Sequence, residues 1–419
     1  MEFVTGLGCV LCEGVYPATR NGLGIQTCPR CGSEGILDVR YDYSLVKRRM
    51  TRRTMAARPD RSQWRYRELL PVGPSSVVPE LSVGSTPLTV APALARHIGI
   101  RTLLLKDDGR NATGSLKDRA SALGVVKARE ARRKIIACAS TGNAASSCAG
   151  MAASLGLRSV IFVPERSPEP KVTQLLIFGA TVLRVRGSYD QAYLLCQEAC
   201  RRWGWYNRNS ALNPYLIEGK KTAGLEIAEQ LGWDPPDWVA VSVGDGCTIA
   251  GVWKAFRELQ TLGLIGRTPR MLGVQPEGAA AVTACFHSGR PLCPVEARTI
   301  ADSIAVGAPR NWRKSVRAVR ESGGTMINVS DGEISEAMRY TGRLSGVFAE
   351  PAAAAAVAGL RRARAEGVMA RRASAVALIT GNGLKDVRSA QSAAGVPFEI
   401  PADGAGIEEV LLRQNLAGP

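Results

Sequence analysis

The segment Lys106-Asp107-Asp108-Gly109-Arg110-Asn111-Ala112-Thr113-Gly114-Ser115-Leu116-Lys117-Asp118-Arg119 follows a short apolar run, Thr102–Lys106, and opens an amphipathic one, Leu116–Ala131. That order reads as strand, glycine-bearing loop and helix. A lysine in the first helical turn sits at the positive end of the peptide dipoles, which disfavours its ammonium form. A lysine nucleophile needs that neutral form. The same Lys-Asp-Arg triple also suits an ordinary exposed helix start, so the segment fixes local structure and leaves its chemistry open.

Working outward, the alternation repeats. Lys134–Ala139, Val160–Pro164, Thr181–Val185, Val239–Val243, Arg270–Gln275 and Ala375–Thr380 read as buried strands. Ala144–Leu155 and Pro170–Phe178 read as helices among them. Strands alternating with helices imply an α/β fold with parallel sheets covered on both faces. Ligands of such folds bind beyond the carboxyl ends of strands, where glycine loops enter helices. Two more junctions have that form. Ala139-Ser140-Thr141-Gly142-Asn143-Ala144-Ala145 offers hydroxyls and free amides at a helix start, a cradle for a carboxylate, although plain capping explains it equally well. Val243-Gly244-Asp245-Gly246-Cys247-Thr248 offers amides exposed by two glycines, suited to a phosphate provided the Asp245 carboxylate turns away.

The chain of 419 residues is long enough for two or three domains, and its 45% apolar content is ordinary for a globular protein. No run approaches the roughly 20 apolar residues of a membrane span. Residues 1–12 lack a secretory pattern, so a cytoplasmic location is expected. The net charge of +17 fits nucleic acid or an anionic substrate. Only two basic clusters are dense, Lys47–Arg53 and Arg361–Arg372, and neither is interleaved with base-stacking aromatics, which argues against nucleic acid. Arg361, Arg362 and Arg364 belong to the solvated face of an Ala-rich helix.

Eleven cysteines in such a chain are expected to be mostly reduced. Cys9, Cys12, Cys28 and Cys31 form two CxxC knuckles, the spacing of a closed tetrahedral zinc site. A structural zinc ribbon over residues 1–40 follows, with no open position for catalysis. A polar, basic stretch, Ser44 to Pro79, comes next, and its Gln63–Leu69 portion is expected on the surface of the main domain. His97 and His287, the sole histidines, fall in no motif and are expected to take no part in catalysis.

Taken in order, "KDDGRNATGSLKDR", "ASTGNAA", "NPYLIEGKKT", "VGDGCTIAG", "AEPAAAAAVAGL" and "LITGNGLKD" resemble the threonine-synthase family of fold-type II pyridoxal-phosphate enzymes, over about residues 60 to 390. The resemblance implies a zinc-ribbon module followed by two parallel-sheet α/β domains. The ribbon takes residues 1–43, and residues 44–118 form a linker and the first part of the large domain. Residues 119–215 form the smaller domain with the Ser140–Asn143 loop, and residues 216–419 the remainder of the large one. It implies pyridoxal 5'-phosphate on Lys117 as a Schiff base, with Lys117 later acting as general acid and base. It implies Asn143 on the cofactor's ring hydroxyl, and Gly244, Asp245, Gly246, Cys247 and Thr248 around its phosphate. Thr380 is implied at the pyridine nitrogen, and Ser140, Thr141, Asn143 and Ala144 on the substrate carboxylate. Glu350 is either an electrostatic neighbour or a helix N-cap. A homodimer and an amino-acid substrate are also implied.

The chain departs from the family pattern at Ala112, at the phosphate loop and at Leu216, where members that make threonine commonly carry an arginine on the substrate phosphate. Leucine makes no such contact; Lys220, Lys221 and Arg208 are candidate replacements. The expected reaction converts O-phospho-L-homoserine and water to L-threonine and phosphate. Alternatives are β-replacement on a serine-derived substrate, a serine or threonine dehydratase, or a non-catalytic zinc-ribbon binding protein.

Overall fold

The computed structural model describes residues 1–18, 25–140, 142–165, 167, 169–187, 189–209, 212–414 and 416. Its first forty residues form a small antiparallel sheet of β1 (Val4–Cys9), β2 (Val15–Tyr16), β3 (Thr27–Cys28) and β4 (Gly32–Tyr41), in the order β2-β1-β4-β3. Its short turns bring the four cysteines of the two knuckles together.

The rest of the chain builds two further sheets. One contains β5 (Leu88–Val90) and β6 (Thr102–Asp107), which pair antiparallel. The other is all parallel, formed by β7 (Ile135–Ala139), β8 (Arg158–Pro164), β9 (Thr181–Val185) and β10 (Tyr206–Asn207), in the order β10-β7-β8-β9. The first is completed by β11 (Trp238–Ser242), β12 (Arg270–Pro276), β13 (Thr325–Val329) and β14 (Ser374–Ile379), in the order β13-β12-β11-β14-β6-β5. All its pairs other than β5 with β6 are parallel. The central strands are mostly apolar, as strands covered on both faces are, with the buried Lys106 a charged exception in β6. The Ala352–Ala356 run is buried, letting helix Pro351–Ala365 lie close against that sheet.

Every strand read from the sequence is present, with ends moved by no more than two residues. The mixed α/β architecture therefore stands as expected. The edge strands β5, β10 and β13 were not foreseen.

Gln63–Leu69 corrects one expectation. It is a 3-10 helix whose Gln63, Trp64, Arg65, Tyr66 and Leu69 are buried. Its longest polar side chain is largely satisfied, although Gln63 Nε2, Trp64 Nε1 and Arg65 Nε find no partner among the described residues. The Arg65 guanidinium donates to the carbonyls of Asp60 and Met55 and pairs with Glu229 at 2.6 Å. Among the described residues no helix is long and apolar enough to cross a membrane.

The order β11-β14-β6 places three parallel carboxyl ends side by side. They deliver Gly244–Thr248, Thr380 and the loop leading to Lys117 to one rim of the sheet. The carboxyl end of β7 delivers Ser140.

Candidate active site

Lys117 is the first residue of helix Lys117–Glu130. Its approach is stitched to the end of β14: Leu116 N–H donates to Thr380 O at 2.9 Å, and Asn382 N–H donates to Gly114 O at 3.0 Å. Ser115 forms a β-bridge with Gly381. Asp118 closes the loop from inside by accepting the Thr113 N–H at 2.6 Å and its hydroxyl. Asp118 and Arg119 are buried, so this is no exposed helix start.

Burial, with Lys220 the largest adverse charge and Arg208 adding to it, lowers the Lys117 ammonium from its ordinary range to about 8; Glu350 opposes the shift. The helix dipole, invoked from the sequence, thus acts in concert with desolvation and two cations. An amine of this kind is largely neutral at mildly alkaline pH.

Gly246 stands before helix Cys247–Thr261 with φ of +91°, a conformation that strains any residue bearing a Cβ. The turn it makes leaves the N–H groups of residues 244 to 249 without an acceptor among the described residues. Asp245 does not spoil this cradle. Its Oδ1 accepts the Arg310 N–H at 3.2 Å, and its carbonyl accepts that of Asn311 at 3.1 Å. Burial raises the Cys247 thiol above its ordinary pKa, which keeps it protonated and poorly nucleophilic.

In the Ser140 loop, Ser140 Oγ accepts the Gly142 N–H at 3.2 Å. The N–H groups of Asn143 and Ala144 have no acceptor among the described residues. Thr141 lies outside the described residues. Asn143 Nδ2 donates to both carboxylate oxygens of Glu350 at 2.9 Å and to Ser303 Oγ at 3.3 Å. Glu350 occupies the N-cap position of helix Pro351–Ala365, but its side chain does not cap it and instead faces Asn143. Burial raises its carboxyl pKa, against the Asn143 bond and the charge of Lys117. Thr380 is buried, and its hydroxyl has no hydrogen-bond partner among the described residues.

Ser303 and Lys385 were missed in the sequence. Lys385 Nζ donates to Thr113 O at 3.1 Å and Ser146 Oγ at 2.9 Å, bracing the Lys117 loop against helix Asn143–Ser154. Ser303 lies in no motif, and Lys385, although part of the "LITGNGLKD" stretch, carries no local signal of its role; only the fold makes them neighbours. His97 lies tilted against the Tyr340 ring, and His287 bonds Met326 O at 3.0 Å; neither contact involves a residue of this site.

The unpartnered amides 244–249, the lowered Lys117 amine and the free Thr380 hydroxyl suit a pyridoxal phosphate: a group bearing a phosphate, an aldehyde and a ring nitrogen. The ribbon presents a second donor set. The sulfurs of Cys9, Cys12, Cys28 and Cys31 all lie within 4.8 Å of one another, close enough to share one metal ion. A cavity of about 540 Å³ lies between ribbon and body; Lys117 does not line it, and its charges are largely paired, Asp38 with Lys314 at 2.6 Å among them.

Fold and site define a pyridoxal-phosphate enzyme. Residues 79–381 match the family model "Pyridoxal-phosphate dependent enzyme", and the chain belongs to that family. Among curated relatives, it is 39% identical over 408 residues to the threonine synthase of Methanosarcina acetivorans, covering 97% of this chain and 98% of that protein. It is 36% identical over 406 residues to that of Methanocaldococcus jannaschii, covering 96% and 98%. The chain is thus a pyridoxal-phosphate-dependent, threonine-synthase-like lyase. Solved structures share the fold. The processed form of threonine deaminase isoform 2 from Solanum lycopersicum matches with a TM-score of 0.63 at 24% identity, over 74% of this chain and 88% of that one. Maize serine racemase matches with a TM-score of 0.62 at 20% identity, over 79% and 94%.

Proposed function

We propose that this chain is a threonine synthase, converting O-phospho-L-homoserine and water to L-threonine and phosphate. The observation that carries the reading is the similarity to the Methanosarcina acetivorans threonine synthase, which extends over 97% of this chain and so takes in ribbon and body together.

In this reading Lys117 Nζ holds the cofactor, the amides of Gly244, Asp245, Gly246, Cys247 and Thr248 receive its phosphate, and Asn143 and Thr380 meet its ring. The cofactor supplies an electron sink that makes protons beside the amino group removable. Lys117 moves those protons, for which an amine poised near the working pH is suited. Ser140, Thr141 and the free amides of Asn143 and Ala144 hold the substrate carboxylate at a helix start. Glu350 positions Asn143 through its side-chain amide. Phosphate leaves from Cγ and water adds at Cβ. The four ribbon sulfurs hold a structural zinc ion, closed to chemistry.

The test is to supply O-phospho-L-homoserine and follow phosphate and threonine together. Equal release of both, abolished in Lys117→Ala, is expected. Indifference to this compound, with turnover of O-phosphoserine and an added nucleophile instead, would replace the reading with β-replacement.

A further inference from the structure

Helix Tyr215–Gln230 carries two adjacent lysines with opposite fates. Lys221 pairs with Glu218 and, at 2.8 Å, with Glu258. Lys220 is only 3% exposed, yet it forms no hydrogen bond or ion pair among the described residues. Removing an ammonium from water without a counter-charge is costly, and proteins normally pair such groups.

Its location makes the deficit larger. A Cβ on Gly219 would stand 2.1 Å from Arg119 O, and one on Gly251 would stand 3.1 Å from Ile217 O and 3.2 Å from Lys221 N. The turn 217–221 is therefore wedged between the first turns of helices Lys117–Glu130 and Cys247–Thr261. Lys220 sits where the positive ends of two helices converge, an adverse place for a cation. Beside it, the amides 244–249 lack acceptors. Burial lowers the Lys220 ammonium pKa, Arg208 lowers it further, and Asp245 acts in the opposite direction. Asp245 gives it no ion pair, its Oδ1 being turned to the Arg310 amide.

An anion with several acceptor oxygens resolves both deficits at once. A phosphate monoester dianion accepts from the amides and neutralises the ammonium, whereas a carboxylate leaves one charge and several donors unmatched. The geometry points to Lys220 as a phosphate-binding residue of this site, its ligand being the phosphate of the cofactor or that of a phosphorylated substrate. The assignment rests on the proposed function only in its substrate arm.

The test compares full-length Lys220→Met and Lys220→Arg with the parent; Lys220→Gln replaces the first should it fail to fold. Apoenzyme is titrated with pyridoxal phosphate and with pyridoxal, which lacks the phosphate. Holoenzyme is titrated with inorganic phosphate and assayed for the KM of O-phospho-L-homoserine. If the ligand is the cofactor's phosphate, Lys220→Met weakens pyridoxal phosphate at least tenfold, spares pyridoxal, and Lys220→Arg largely restores binding. If it is the substrate's, cofactor binding is unchanged, while inorganic phosphate affinity and KM both worsen tenfold or more. Unchanged values in every titration of a folded Lys220→Met protein overturn the assignment. Were the parent inert toward O-phospho-L-homoserine, the proposed function would fall, while the pyridoxal and inorganic phosphate titrations would still judge Lys220.

Discussion

Asn143 Nδ2 lies 2.9 Å from both carboxylate oxygens of Glu350, tying the first turn of one helix to the residue that precedes another. The contact fixes which way the Asn143 amide faces. It also supplies a buried carboxylate with a donor, without which the acceptor would be stranded. Asn143→Ala is expected to cost about 1–3 kcal/mol at neutral pH. Glu350 is already raised by burial, and losing the Asn143 bond raises it further. The folded state then holds a proton that the unfolded state releases, so stability falls as pH rises from the ordinary carboxyl value through the raised one. Chemical denaturation at pH 5 and pH 8 should show the larger loss at pH 8. An equal loss at both would mean that Glu350 does not titrate in this range.

The Lys117 amine, lowered to about 8, sets the pH dependence of cofactor uptake. Only the neutral amine attacks an aldehyde. The apoenzyme should therefore bind pyridoxal phosphate about tenfold faster for each pH unit gained below 8, levelling above it. Glu350 supports the ammonium form, so Glu350→Gln should move this transition to lower pH, by on the order of one unit. Stopped-flow absorbance reads both. A transition left near 10.5 would show that Lys117 is solvated.

The strands and the three glycine junctions were legible because each is a local pattern: an apolar run, a turn residue and a helix start. The convergence of Lys117, Gly244–Thr248 and Thr380 was legible only through resemblance, since strand order carries no signal within any one segment. The charged interior was not legible at all. Arg119, Lys106, Asp108 and Glu226 look like surface residues in sequence, and their burial depends on Glu226, which Lys106 and Arg119 reach across more than a hundred residues of chain. Gln63–Leu69 was misplaced for the same reason, because the partner of Arg65 and Tyr66 is Glu229.

Arg119 grips Asp108 through Nε at 2.7 Å and Nη2 at 2.8 Å, and Glu226 through Nη1 at 2.7 Å and Nη2 at 2.8 Å. Burial alone would raise the Glu226 carboxyl, but Arg119 and Lys106 hold it at about 2. Its contribution to stability is present above the unfolded carboxyl range and lost as pH falls through about 2. Arg119→Met leaves buried Asp108 without its counter-charge and Glu226 with Lys106 alone, and is expected to cost about 3–5 kcal/mol at neutral pH. The gap from the parent should narrow in acid, where the carboxyl groups of the variant take up protons. Denaturant midpoints across pH 3 to 8 check this, and a constant gap would contradict it.

The ribbon is coupled to the body through Tyr41, whose hydroxyl donates to the buried Glu218 carboxylate at 2.7 Å. Glu218 also receives Lys221 and Lys254, so one turn of helix carries both the ribbon contact and Lys220. Tyr41→Phe is expected to destabilise the protein by about 1.5–3 kcal/mol. If the four sulfurs hold zinc as proposed, chelation should produce a loss at least as large, since it releases the strand bearing Tyr41. Thermal unfolding of both, with and without added zinc, measures the effect; full stability after metal removal would show that the ribbon holds without it.

Leu216 is fully buried, and its Cδ2 lies 3.0 Å from where a Cβ on Gly124 would stand, with Arg208 Cγ 3.9 Å from the same point. The slot is apolar and narrow, and its nearest cation is already Arg208, whose guanidinium reaches Ser121 Oγ at 3.0 Å. Leu216→Arg would put a second guanidinium beside the first, like charge against like charge in a buried slot. A buried unpaired charge costs about 3 kcal/mol or more. The variant should therefore lose stability and gain no affinity for O-phospho-L-homoserine. Urea denaturation and KM decide the matter. A stable Leu216→Arg protein with a lowered KM would show that position 216 opens onto the substrate, and that the leucine here was a loss of contact and not a core residue in its own right.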